Sequence, residues 1–309
     1  MKNLVTGGAG FVGSHLINKL ITKGESVICL DNFLTGNYSN ITKWIDNPLF
    51  EIIKHDITKP IVIDADKIWH LACPASPIHY QKDPIETTKI CFLGTLNMLE
   101  LALKNKSKIL LASTSEIYGD PQISPQDESY RGSVNNIGIR SCYDEGKRIA
   151  ESLFFDYWRS HKVDICVARI FNTYGPNMHQ NDGRVVSNFI CQAISQKPLT
   201  IYGDGNQTRS FCYVNDLVEG LYRLMESNLI GPVNLGNPNE MTILNLAKLV
   251  KDKVNPNIEI IHKPLPKDDP KQRKPDITLA KEGLEWIPKV GIEKGLEKTI
   301  DYFNKVMKS

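Results

Sequence analysis

Six short apolar runs, separated by stretches of helical period, constrain what this chain can fold into. They are KNLVT (2–6), SVICLD (26–31), FEIIKHD (50–56), DKIWHLA (66–72), KILLAST (108–114) and VDICVARIF (163–171). Each is nearly continuous in apolar residues instead of alternating, which is how strands covered on both faces read. Helical period over 11–23, 84–105 and 140–161 puts crossover helices between several of them. The spacing therefore predicts an α/β fold with a parallel sheet and helices on both faces.

Beyond residue 172 the pattern breaks into Gly/Asn-rich loops, YGPNMHQNDGR and YGDGNQTRS, and a charged, proline-broken connector, KPLPKDDPKQRKPD (263–276). Such segments bury little of themselves. Helical period resumes near 242–254 and 292–307. The division this predicts is a nucleotide-binding body over 1–172, to which segments around 199–235 return, and a smaller C-terminal substrate lobe made mostly of 173–309. A chain of 309 residues can bury a core of that size.

Charge and cysteine content narrow the partners. With 37 basic and 35 acidic residues the chain has no charge bias toward nucleic acid or a membrane surface, and a small metabolite is the natural ligand. Seven cysteines are scattered through apolar runs without CxxC or Cys/His spacing. They read as reduced thiols in a cytoplasmic protein, with no metal site. The opening MKNLVTGG leaves no room for a secretion signal, and no apolar run reaches bilayer length.

The first chemistry lies in TGGAGFVG, where Gly7, Gly10 and Gly13 form GxxGxxG between a strand and a helix. Missing side chains allow a tight turn, let backbone N–H groups approach a pyrophosphate and bring helix against strand. This makes the sheet Rossmann-type. Asp31, ending the second strand, has the position to accept hydrogen bonds from both hydroxyls of an adenosine ribose and to repel a 2′-phosphate, favouring NAD over NADP. Asp56 ends the third strand, suited to an adenine amine.

Two further motifs follow. STSEIYG (113–119) ends a buried strand in hydroxyls and a carboxylate, a surface suited to a hydroxyl-rich ligand that would include Tyr118. In YDEGK, Tyr143 and Lys147 stand four residues apart on one helix face. A tyrosine with its ordinary pKa near ~10 is a poor base, and a neighbouring ammonium favours its phenolate.

Glycine loop, hydroxyl-rich strand end and Tyr-x-x-x-Lys in this order resemble the extended short-chain dehydrogenase/reductase family, whose members modify nucleotide sugars. HLACPASPIHY (70–80), STSEIYGDP (113–121), CYDEGKRIAE (142–151), RIFNTYGPNMHQNDGRVVSNFI (169–190) and QRKPDI (272–277) resemble the branch that removes CO2 from UDP-glucuronate. The resemblance implies NAD-dependent C4 oxidation, loss of CO2 from the 4-keto sugar, and re-reduction. Thr114, Tyr143 and Lys147 would handle the C4 hydroxyl, with Ser115, Glu116 and Arg273 on the C5 side. It extends the cofactor contacts to Phe11, Val12, Asn32, Thr35, Gly36, Ile57, Leu71, Ala112, Thr173, His179 and Arg184. It gives the UDP-sugar contacts as Lys89, Asn97, Tyr157, Asn172, Val186, Tyr202, Arg209 and Arg273. It also implies a homodimer built on the helices near 84–105 and 140–161.

Other functions share the opening chemistry. A sugar 4,6-dehydratase would have an acid where Ser115 stands, and a serine is a poor proton donor to a leaving hydroxyl. A 4-epimerase generally has a small residue where Glu116 stands. A non-catalytic dinucleotide-binding protein commonly loses the tyrosine or the glycine spacing, both present here. Cys73 and His70 read as packing residues.

Overall fold

The computed structural model describes residues 1–265 and 272–308. The connector predicted over 263–276 thus lies partly outside the described residues. Six strands follow the predicted runs: β1 (Lys2–Thr6), β2 (Ser26–Asp31), β3 (Phe50–Lys54), β4 (Lys67–His70), β5 (Lys108–Thr114) and β6 (Ile165–Ile170). All pair in parallel in the order β3-β2-β1-β4-β5-β6, and Val233–Leu235 adds a seventh strand beside β6.

Alternation along each strand sends successive side chains to opposite faces. On one face Ile68, Ile109, Leu111, Ile165 and Val167 pack with Met98, Leu99 and Phe154. On the other, Trp69, Leu110, Cys166 and Ala168 pack with Leu16, Leu20, Leu217 and Leu221. Two cores from one sheet are what continuous apolar runs require.

The helices are α1 (Phe11–Thr22), α2 (Pro77–Tyr80), α3 (Pro84–Lys89), α4 (Thr95–Asn105), α5 (Ser141–His161), α6 (Val185–Ile194), α7 (Val214–Glu226), α8 (Ile243–Val254), α9 (Thr278–Leu284) and α10 (Ile292–Lys308). The helix predicted over 84–105 is interrupted by a π-helical turn at Ile90–Gly94. Small parallel and antiparallel pairings complete the C-terminal part: Leu199–Tyr202 with Ile260–Lys263, and Thr208–Ser210 between Glu240–Thr242 and Gln272–Arg273. Among the described residues no helix is long and apolar enough to cross a membrane.

The order of strand addition reverses between β1 and β4, since β2 and β3 extend the sheet one way and β4 to β6 the other. Ligand clefts of open parallel sheets lie at the carboxyl ends of strands at such a point.

Candidate active site

Two continuous clefts occupy that position. The first, about 440 Å³, is lined by Gly7, Gly10, Phe11, Val12 and Gly13 of the turn after β1, and by Asp31, Asn32, Thr35 and Gly36 after β2. Asp56, Ile57, Leu71, His179 and Arg184 complete the expected set in it. The second, about 640 Å³, takes Ala112, Thr114, Ser115, Glu116, Tyr143, Lys147 and Thr173, with Asn172, Val186, Tyr202, Arg209 and Arg273. Val12, Leu71, Cys73 and Arg184 belong to both.

The glycine turn has the form a dinucleotide needs. Gly7 sits at φ +68°, and a Cβ on Gly13 would come within 2.2 Å of the Gly7 carbonyl oxygen. Only glycine lets α1 start this close to the turn. Asp31 accepts hydrogen bonds from the Ala9 N–H at 3.0 Å and the Phe33 N–H at 2.8 Å, which fixes its carboxylate at the cleft wall. Burial raises the Asp31 pKa, and those two backbone N–H groups oppose the rise. A Cβ on Gly36 would lie 2.9 Å from Asp31 Oδ2, so a larger residue there would close off the carboxylate. Asp56 Oδ1 already accepts from the Thr58 N–H and hydroxyl, both at 2.9 Å.

At the end of β5, Thr114 caps a 3₁₀ turn, Ser115–Tyr118, accepting the Glu116 N–H at 3.2 Å. Tyr143 and Lys147 are buried on α5. Lys147 Nζ donates to the Ala112 carbonyl at 3.0 Å and stands 5.9 Å from the centre of the Tyr143 ring. Burial pushes the Tyr143 hydroxyl well above its ordinary pKa, while a hydrogen bond with Thr114 pulls the other way. The Tyr80 ring stacks on Tyr143 at 5.0 Å and 4°.

Glu116 is an ion-paired carboxylate. Its burial alone would raise the pKa, but the Arg273 and Arg140 guanidiniums outweigh that and lower it. Arg273 Nη2 is 3.2 Å from Glu116 Oε2, and Arg140 Nη2 pairs with the same oxygen. Arg140 and Tyr80 are cleft residues that the sequence reading missed. For Arg140 a signal existed: a cation three residues ahead of Tyr143 in IRSCYDEGK.

Not every expected residue falls in a cleft. Lys89, Asn97 and Tyr157 line neither cleft. Lys89 is exposed on α3 with Glu86 at 3.8 Å, Asn97 donates to the Ile57 carbonyl at 2.8 Å behind the first cleft, and Tyr157 donates to Glu100. Tyr118 turns into the core, where its hydroxyl donates to Asn234 Oδ1 at 2.8 Å and accepts from Arg169 at 3.0 Å.

His70 is a core residue, buried between the Thr6 and Thr95 hydroxyls, with burial lowering its pKa to about 3. Cys73 lines both clefts with its Sγ 3.4 Å from that of Cys91, and all seven cysteines are free. Among the described residues no group of His, Cys, Asp or Glu could hold a metal ion.

The GDP-mannose 4,6 dehydratase family model matches residues 4–299. UDP-glucuronic acid decarboxylase 3 of Arabidopsis thaliana is 58% identical over 297 residues, covering 96% of this chain and 87% of the relative. UDP-glucuronic acid decarboxylase 1 of Xenopus tropicalis is 55% identical over 302 residues, covering 98% and 72%. Among solved structures, a UDP-glucuronic acid 4-epimerase from Bacillus cereus, in complex with UDP-glucuronic acid and NAD, superposes with a TM-score of 0.89 at 29% identity, over 99% of this chain and 100% of that one. A UDP-glucose 4-epimerase from Thermotoga maritima with UDP-glucose gives 0.91 at 30%, over 99% and 100%. The similarity extends over nearly the whole chain: the chain belongs to the GDP-mannose 4,6 dehydratase family of extended short-chain dehydrogenases and, within it, to the UDP-glucuronic acid decarboxylases.

Proposed function

We propose that this enzyme converts UDP-glucuronate to UDP-xylose and CO2, holding NAD in the first cleft and the sugar nucleotide in the second. Residues 1–172, with the segments around 199–235, would carry the cofactor, and most of 173–309 the UDP moiety. The observation that carries the reading is a carboxylate, Glu116, clamped by two arginines beside Thr114 and Tyr143. Such a charged cluster suits a sugar that carries a carboxylate at C5.

NAD, when bound, supplies the acceptor and later the donor of the C4 hydride. Gly7, Gly10 and Gly13 would take its pyrophosphate at the start of α1, Asp31 its adenosine ribose, and Lys147 its other ribose. Thr114 holds the C4 oxygen, and Tyr143 takes its proton and returns it at the end. With C4 at the ketone level, the carbonyl is β to the carboxylate. The C5–C6 bonding pair moves toward that carbonyl as CO2 leaves, giving an enolate, and no further cofactor is needed. C5 is then protonated, and Glu116, Ser115 and Arg273, which line the same cleft, would manage that proton. Ser115 is a poor acid for expelling a C6 hydroxyl, which disfavours a 4,6-dehydratase.

Incubation of purified protein with NAD and UDP-glucuronate should release CO2 and a UDP-pentose in equal amounts. A UDP-hexuronate epimer without CO2 would overturn the reading in favour of a 4-epimerase. In Glu116→Gln, absorbance near ~340 nm, a property of reduced nicotinamide, should build up in a single turnover while CO2 release slows. Wild-type CO2 release without that signal removes Glu116 from the second step.

The protein is also proposed to be a homodimer of a reducing cytoplasm. Phe92 and Leu93 in the π-helical turn and Ile149 and Trp158 on α5 remain exposed, and free thiols suit that compartment.

A further inference from the structure

We propose that Cys73 and Cys91 are a redox modification site at the wall shared by the two clefts, a pair of thiols that peroxide closes to a disulfide and so switches the enzyme off. The loss of turnover rests on the decarboxylase reading; the disulfide itself does not.

The two sulfurs come from different elements. Cys73 lies in the loop after β4 and, with Val12, Leu71 and Arg184, lines both clefts. Cys91 lies behind it, buried in the π-helical turn at Ile90–Gly94. Their Sγ atoms are 3.4 Å apart, so a small shift of either brings them to bonding distance. Both are free thiols, and neither takes part in the steps at C4 and C5.

Reactivity is concentrated on Cys73. Its hydrogen bond with Cys91, and then the Lys147 charge, lower its pKa against burial, while the same hydrogen bond and burial raise that of Cys91. The other titratable groups facing the pair, Cys142 and Tyr143, lie with Lys147 on α5. At Cys29, Cys142, Cys166, Cys191 and Cys212 burial raises the thiol pKa. The thiolate is the form that reacts, so Cys73 meets an oxidant first.

The chemistry needs a two-electron oxidant of the peroxide class. The Cys73 thiolate attacks one oxygen of hydrogen peroxide, the O–O bond breaks, hydroxide leaves, and Cys73 becomes a sulfenic acid. The Cys91 sulfur then attacks Cys73 Sγ: the S–S bond forms, the S–O bond breaks, and water leaves with the Cys91 proton. Two electrons pass from the thiols to the peroxide. A dithiol reductant reverses the linkage by exchange.

A disulfide bond is about 2.05 Å long, so the 3.4 Å gap has to close. One route draws in the loop after β4 and deforms the wall that both clefts share. The other moves Cys91, which rests on α5: a Cβ on Gly146 would lie 2.9 Å from both its Cβ and its Sγ. Gly146 stands between Tyr143 and Lys147 in the sequence, so either movement reaches the reacting groups. A dinucleotide filling the first cleft covers the wall to which Cys73 belongs, and NAD should shield the thiol.

The test treats purified protein with hydrogen peroxide, with and without saturating NAD, alkylates the remaining thiols and maps the peptides by mass spectrometry. Wild type should give one linked pair, Cys73 with Cys91, and alkylated thiols at the other five cysteines. Linkage should be slower with NAD present. CO2 release from UDP-glucuronate by the linked protein should fall on the order of ten- to a hundredfold, the cost of a ~1 Å misplacement at a reacting site, and return with dithiothreitol. Cys91→Ser should give no linkage, and dimedone, which adds to sulfenic acids, should label Cys73. Seven alkylated thiols after peroxide, or linkage through a different pair, overturn the site. Linkage without loss of turnover overturns the switch, and equal linkage rates with and without NAD overturn the shielding. Absence of CO2 from untreated protein overturns instead the decarboxylase reading, and the linkage map then still decides whether the site exists.

Discussion

Burial makes the Tyr143 proton hard to remove, a hydrogen bond with Thr114 opposes that, and Lys147 Nζ is a cation 5.9 Å from the ring centre. Tyr143→Phe removes one oxygen and keeps the ring stacked on Tyr80. It should lower turnover roughly a hundred- to ten-thousandfold with NAD affinity unchanged in a titration. Near-normal turnover would take proton transfer away from this residue. Asp144 allows a stability prediction. Its folded pKa of about 7 exceeds the ordinary 3.8, so between those values the folded chain holds a proton that the unfolded chain releases. Stability therefore declines with rising pH across that window at this group. Asp144→Asn should remove that part of the slope in denaturant melts, and an unchanged slope would show that Asp144 is ionised throughout. Thr114, Tyr143 and Lys147 were legible because their spacing places them on known faces of a strand end and a helix. Tyr118 misled because a residue following a strand end turns inward once the chain enters a 3₁₀ turn, and sequence does not show that bend.

Elements were legible wherever they were long and covered on both sides. β1, β2 and β5 begin and end where their apolar runs do, and α5 and α8 start within a residue of the expected position. The strands of two to four residues beyond 172 were not, since so short a segment has no period and exists only through its partner. Gln272–Arg273 is defined by its pairing with Thr208–Arg209. The π-helical turn at Ile90–Gly94 was equally invisible, and there Gly94 packs so near Ile57 that a Cβ would lie 2.4 Å from Ile57 Cδ1. Element joins are where single atoms matter. Gly13→Ala would force α1 off the turn after β1, because the Gly7 carbonyl has no room to yield. It should cost about 1–3 kcal/mol by overpacking and weaken NAD binding measurably by calorimetry. Full retention of both would mean that the turn is more pliant than its contacts indicate.

At the scale of the molecule, the exposed apolar residues of the helical stretch from 84 to 105 and of α5 set the expected assembly. Light scattering at micromolar concentration should give twice the chain mass, and Ile149→Asp should shift it toward the monomer with the fold intact. A monomeric wild type would leave these side chains as ordinary exposed residues. The sheet order has a consequence for synthesis on the ribosome. β6 is complete once Ile170 is made, yet its outer row of N–H and C=O groups finds its partner only in the stretch from Ile230 to Leu235. During the intervening stretch the emerging chain carries an open, apolar strand edge of the kind that recruits other chains. Release of a chain stopped before residue 233 should therefore yield insoluble protein, whereas one continued past α10 should stay dispersed, a contrast that ultracentrifugation of translation products would measure.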